Sequence, residues 1–241
     1  MSESSFKSSW QVLSAQSART TSWFVVILFF NYCMVWLNMR VPYILERSIY
    51  HQLFWMVMAG CFLGGMELLS RRQELIASLP FSRRKLFCNR LIYGLILVLI
   101  CTALNYTLDS GLAEHALYDE IWLSGRGLAV TISHTVLLTS VFAISFSLSI
   151  VAQTLSGLLL GGLATMSYFL PLVFIELPIT DVSFICFLSI LALIFTITSF
   201  WNYGRSSQVK TSISTITNIR LVAILYWLSL IALIVFTISK I

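Results

Sequence analysis

Few side chains in this sequence combine a reactive type with a setting in which chemistry would follow. His134 lies about seven residues into a long apolar run, and Glu67 and Glu176 stand at the ends of two others. An ionisable group inside an apolar segment is costly and therefore points to function. Glu67 and Glu176 are close enough to water to be solvated, which leaves His134 as the one deep candidate for an intramembrane polar site. Its plainer reading is a neutral imidazole hydrogen-bonded to a neighbouring helix. The chain has no paired carboxylates, no His-Glu-x-x-His and no Gly-x-Ser-x-Gly turn. Cys33, Cys61, Cys88, Cys101 and Cys186 are scattered along apolar runs without a Cys-x-x-Cys pair, so they read as small apolar residues rather than metal ligands or a disulfide framework. No glycine-rich phosphate loop precedes any of the four lysines. The expectation is a chain that is not itself an enzyme, with no catalytic residue, metal or bound cofactor of its own.

The elements that would position these groups are set by composition. Of 241 residues, 58% are hydrophobic and 10% charged, with a mean hydropathy of +0.89. Soluble domains carry about 25% charged residues, so the expected fold is all-α, a polytopic transmembrane helix bundle. Apolar runs near the length of a bilayer-crossing helix, rather than alternating strands of about ten residues, exclude an outer-membrane barrel. Spans are expected at about 22–38, 51–69, 91–108, 127–151, 156–175 and 182–201, and a last apolar run at 221–238 would make a seventh. One membrane domain fills 1–241. Before the first span, Phe6, Trp10, Leu13 and Ser17 recur at helical spacing in a Ser-rich segment. They predict an amphipathic interfacial helix over 1–20 rather than a secretory signal. Gly60 and Gly64 in the second span, and Gly157, Gly161 and Gly162 in the fifth, suit close helix packing. The Ser- and Thr-rich fourth span offers hydroxyls either to a substrate path or to neighbouring helices.

Charge orients this bundle. With the amino terminus inside, Lys7, Arg19, Arg71, Arg72, Arg83, Arg84, Lys85, Arg90, Arg205, Lys210 and Arg220 fall on the inner side, and only Arg40, Arg47, Arg126 and Lys240 on the outer. Cytosolic loops of membrane proteins gather Lys and Arg, so the net charge of +5 reports topology, not nucleic-acid binding. The location expected is a bacterial plasma (inner) membrane, multi-pass, with the amino terminus cytosolic.

Topology accounts for the arginines of the loop at 70–90 but not for its order, Glu-Leu-Ile-Ala-Ser-Leu-Pro-Phe-Ser-Arg-Arg-Lys over 74–85. Pro80 cannot continue a helix from Leu79, which predicts helix, break, helix. Ser82 can cap the helix that follows. Arg83, Arg84 and Lys85 would then lie near lipid headgroups or an acidic partner. Leu75, Ile76 and Leu79 share a face that could enter an apolar groove.

This span-loop-span pattern resembles the first intracellular loop of ABC exporter permeases of the second type, a family that includes bacterial polysaccharide, bacteriocin and antibiotic-resistance exporters. The resemblance implies that Glu74, Leu75, Leu79, Pro80, Ser82 and Arg83 form a coupling helix seated in a groove of a cytosolic ABC ATPase. It also implies a homodimer, or a heterodimer with a similar permease, with ATP and magnesium bound by the ATPase subunits. The interfacial helix before the first span fits the same family. The apolar run after Arg220 departs from the usual six spans. A related expectation is a haem-exporter permease of cytochrome c maturation, and a competing one from another class is a membrane scaffold or assembly factor.

Overall fold

A computed structural model describes residues 45–65, 83–113, 126–151, 155–168, 182–205 and 212–239. Among these residues there are six helices, and none forms a strand: α1 (Leu45–Gly64), α2 (Arg83–Ala113), α3 (Arg126–Val151), α4 (Leu155–Ser167), α5 (Val182–Arg205) and α6 (Ser212–Ile238). The expected interfacial helix at 1–20 and first span at 22–38 lie outside the described residues. The chain groups into two compact units, Met1–Trp55 and Met56–Ile241. In the first, the Phe54 ring meets the edge of Trp55 at 5.6 Å. The packing that follows is that of the second.

Three helical stretches are long and apolar enough to cross a membrane: Arg83–Ala103, Ile132–Val151 and Val182–Tyr203. Shorter apolar helical stretches are Gln52–Gly64, Leu158–Ser167 and Ala223–Ile238. The protein is thus helical and of membrane character. Several helices outrun the apolar segments that announce them. Backbone hydrogen bonding continues past the last apolar residue, because charged ends remain helical where water can solvate them. So α1 starts at Leu45, taking in Glu46 and Arg47. α2 continues past the expected end at 108 to Ala113, and α6 starts at Ser212 and includes Arg220. In the opposite sense, α4 stops at Ser167, short of the expected end at 175. Thirteen residues rise only about 20 Å, less than the ~30 Å of a hydrocarbon core.

α3 is the centre. Within its apolar stretch 72% is buried inside the chain, against 39% in each of the other two. Burial of this kind in a bundle rests on close backbones and interhelical hydrogen bonds, since lipid offers apolar surfaces no incentive to separate from it. On the α1 side, a Cβ at Gly60 would stand 2.8 Å from both Phe142 O and Phe146 N, and one at Gly64 would stand 2.6 Å from Phe146 O. Only hydrogen fits there. Ser145 donates its hydroxyl to Val57 O at 2.7 Å, and Cys61 Sγ lies 3.2 Å from Ser145 Oγ. With the serine proton committed to Val57, the thiol is the donor of that second contact.

On the α5 side, Ser140 Oγ lies 3.2 Å from Ser189 Oγ, and Ser147 Oγ lies 3.2 Å from Thr196 Oγ1. Ser199 donates to Ser147 O at 2.8 Å. The first two pairs are each 49 positions apart, so advancing seven residues along α3 advances seven along α5. The two helices therefore run in the same direction. α1 also runs with α3, because moving from Gly60 to Gly64 moves the contact from Phe142 and Phe146 to Phe146 and Ile150. α2 opposes them: Gly94 faces the Phe142 ring, while Phe87 meets Phe146. α4 opposes α1, with Gly65 against Leu158 and Cys61 against Gly162. Directions alternate along the chain from α1 to α5.

α6 joins at two places. Phe236, near its end, stacks on Phe187 at 5.7 Å near the start of α5. Tyr226 and Ser229 meet the end of α4, where Tyr168 and Ser229 share a short hydrogen bond and Ser167 Oγ lies 3.4 Å from Tyr226 OH.

Candidate functional site

The loop that carries the sequence argument opens directly into α2, which begins at Arg83. Glu74, Leu75, Leu79, Pro80 and Ser82 lie outside the described residues. Arg83 is the first residue of the helix, where a helix start was expected.

This end of α2 is fastened to the end of α5. The Arg83 guanidinium lies over the Tyr203 ring, 5.8 Å from its centre. Arg84 lies over both Phe200, at 5.7 Å, and Trp201, at 4.9 Å. A cation over an aromatic face is attracted by the ring's quadrupole, by about 0.5–1 kcal/mol at exposed sites. One turn further, Phe87 is fully buried and sits edge-on to Phe146 at 5.3 Å and to Phe200 at 5.6 Å. It therefore ties α2 to α3 and α5 together. Arg83 and Arg84, two of the three basic residues expected beside headgroups or a partner, thus also rest on aromatic rings of the same chain. Two signals place them there. Basic residues gather at one membrane face and aromatic residues at both interfaces. Arg83–Lys85 and Phe200–Tyr203 each flank an apolar stretch at the same end of the bundle. Their pairing was not legible in the sequence, because it depends on α2 and α5 being neighbours.

Comparison with known protein families, with curated proteins and with solved structures finds no match.

His134 stands near the start of α3, far along the helix from Arg83 and its partners. Its Nε2 is sealed from solvent and has no hydrogen-bond partner. That nitrogen makes no bond to a neighbouring helix, and a buried polar atom left so is uncommon. Among the described residues, no three His, Cys, Asp or Glu side chains assemble as a metal site. Cys61, Cys88, Cys101 and Cys186 are all free thiols.

The hydroxyls of α3 have an assignment. Ser140, Ser145 and Ser147 face α5 or α1 and hydrogen-bond there. In this arrangement these three hold helices together. Ser149 Oγ and Asn202 Nδ2 are different: both are buried without a hydrogen-bond partner. Each lies toward the end of its helix where the Arg83 and Arg84 contacts are made.

Proposed function

We propose that the chain is the membrane-spanning permease subunit of an ATP-driven exporter. A separate cytosolic ABC ATPase docks on the loop around Glu74, Leu75, Leu79, Pro80, Ser82 and Arg83. One observation carries the reading: the Glu-Leu-Ile-Ala-Ser-Leu-Pro-Phe-Ser-Arg order immediately precedes, in sequence, a helix whose first turn is clamped onto α5. A push on that loop has a rigid continuation. Arg83 and Arg84 pass it to α5 through Tyr203 and Trp201, and Phe87 passes it to α3.

Topology supports the same reading. Alternating helix directions from α1 to α5 suit successive crossings, and parallel α3 and α5 require the chain between them to return across the same thickness. We read α6, whose far end meets the start of α5, as a further crossing, which with the expected span at 22–38 makes seven, the amino terminus inside a bacterial inner membrane. Two such chains, identical or similar, enclose the substrate path, and each binds one ATPase that holds ATP and magnesium. The chain contributes no residue to hydrolysis. Nucleotide-driven closure of the ATPases moves the coupling loop and, through the α2–α5 clamp, shifts the bundle between inward- and outward-open states.

Gentle detergent purification of the chain expressed with its native gene neighbours tests this. The expected result is an ATPase that co-purifies with the wild type and is lost with Glu74→Ala and Leu79→Ala. Failure of any ATPase to accompany the wild type would refute the proposal.

A further inference from the structure

We infer that the corner where α6 meets the end of α4 binds an organic ammonium ion, its charge held against the rings of Tyr226 and Trp227 and its alkyl part against exposed leucines of α4. The hydroxyl protons set the sign of that charge. Ser167 Oγ donates to Ala164 O at 2.6 Å, so in its 3.4 Å contact with Tyr226 the tyrosine is the donor. Ser229 Oγ likewise donates to Tyr226 O at 2.7 Å, so Tyr168 donates to Ser229. Both tyrosine protons are committed, and the phenol oxygens have only lone pairs left to offer. An anion finds no free hydroxyl donor among these four groups, whereas a cation finds acceptors.

The rings favour the same sign. Tyr226 stands at 78° to Tyr168, with centres 6.3 Å apart, and at 63° to Trp227, 6.0 Å away. Tyr168 is fully buried and Trp227 is 61% exposed, while Tyr226 is half-buried, so Tyr226 and Trp227 are the accessible pair. Aromatic faces attract a cation by about 2 kcal/mol where water is excluded, and the end of α4 adds the partial negative charge of a helix C-terminus. Neither Leu155–Ser167 nor 221–238 contains Asp, Glu, Lys or Arg, so no fixed charge within these stretches competes.

Depth sets these rings apart from the usual interfacial belt of Tyr and Trp. Tyr168 follows the thirteen residues of α4, about 20 Å of rise, and Tyr226 precedes the end of α6 by about 18 Å. A strongly hydrated ion would not give up its water there. The class that fits is a weakly hydrated alkylammonium ion. Its chain can lie on Leu163 and Leu160, one and two turns before Ser167 on the same side of α4 and 63% and 64% exposed. The site is built from α4 and α6 alone and does not depend on an ATPase docking elsewhere.

Equilibrium dialysis of the full-length protein in a nonionic detergent, with protein-free micelles subtracted, tests this. The probes are octyltrimethylammonium and its uncharged carbon analogue, in which a tert-butyl group replaces the trimethylammonium head. The wild type should bind the cation saturably and about tenfold more tightly than the analogue. Tyr226→Leu and Trp227→Leu should each remove most of that preference, while Tyr226→Phe, which keeps the ring, should retain it. Trp227 is exposed, so its replacement reads the site even if the chain tolerates no change at Tyr226. Equal binding of the two probes overturns the inference, as does a lack of saturable cation binding or a preference that Trp227→Leu leaves undiminished.

Discussion

At the scale of single residues, the bundle depends more on what is missing than on what is bonded. Gly60 and Gly64 allow α1 to lie directly on the α3 backbone, and a side chain there would strike main-chain atoms that cannot rotate away. Ser145 contributes one hydrogen bond to a carbonyl of α1. Interhelical hydroxyl bonds in membranes average about 0.6 kcal/mol, whereas overpacking costs typically ~1–3 kcal/mol or more. Gly64→Ile is therefore expected to destabilise the chain severalfold more than Ser145→Ala, as measured by thermal unfolding in detergent. A loss from Ser145→Ala equal to or larger than that from Gly64→Ile would contradict the close approach of α1 and α3. The sequence showed the glycine spacing but not its partner, because small residues at that spacing suit any neighbouring helix.

At the scale of elements, apolar runs predicted where helices would be, and they did so best for α3, where 127–151 was expected and Arg126–Val151 is found. They set the ends poorly elsewhere. Arg220 and Asp109 are polar yet helical, since a helix end can continue into water. Conversely, Tyr168 and the residues around it are apolar enough to extend a span, yet α4 ends there. Its last turn is occupied by local hydroxyl bonds, Thr165 to Gly161 O and Ser167 to Ala164 O, and by the contacts with α6. The shared direction of α3 and α5 was beyond the sequence, but two disulfides can test it. Ser140→Cys with Ser189→Cys, and Ser147→Cys with Thr196→Cys, should each cross-link under mild oxidation. Ser140→Cys with Thr196→Cys should not, and efficient closure of that mismatched pair would reverse the register. For α6, a lone cysteine at Ser239 should react with an impermeant maleimide only from the side opposite to one at Arg84. Labelling of both from one side would remove the last span.

At the scale of the whole molecule, the proposed coupling segment precedes a bundle centred on α3. Arg83 and Arg84 follow the sequence motif directly and hold the first turn of α2 against rings of α5. The proposed coupling residues were legible as a pattern only: Glu74, Leu79 and Pro80 suggest a helix and a break, and they lie outside the described residues, which resume with α2 at Arg83. In the proposal their contact is another molecule, which this chain alone does not name. His134, chosen from the sequence for its isolation, has a buried ring nitrogen without a partner but lies far along α3 from the Arg83 contacts, and the proposed coupling route does not include it.

The central claim is that the loop meets an ATPase, and a photo-reactive amino acid placed at Leu79 tests it at the contact. In membranes from cells carrying the chain and its native neighbours, illumination should produce an adduct whose partner is a nucleotide-binding subunit with a phosphate-loop lysine. Adding Glu74→Ala should lower its yield. An adduct only with lipid, or only with a protein that binds no nucleotide, would contradict the account.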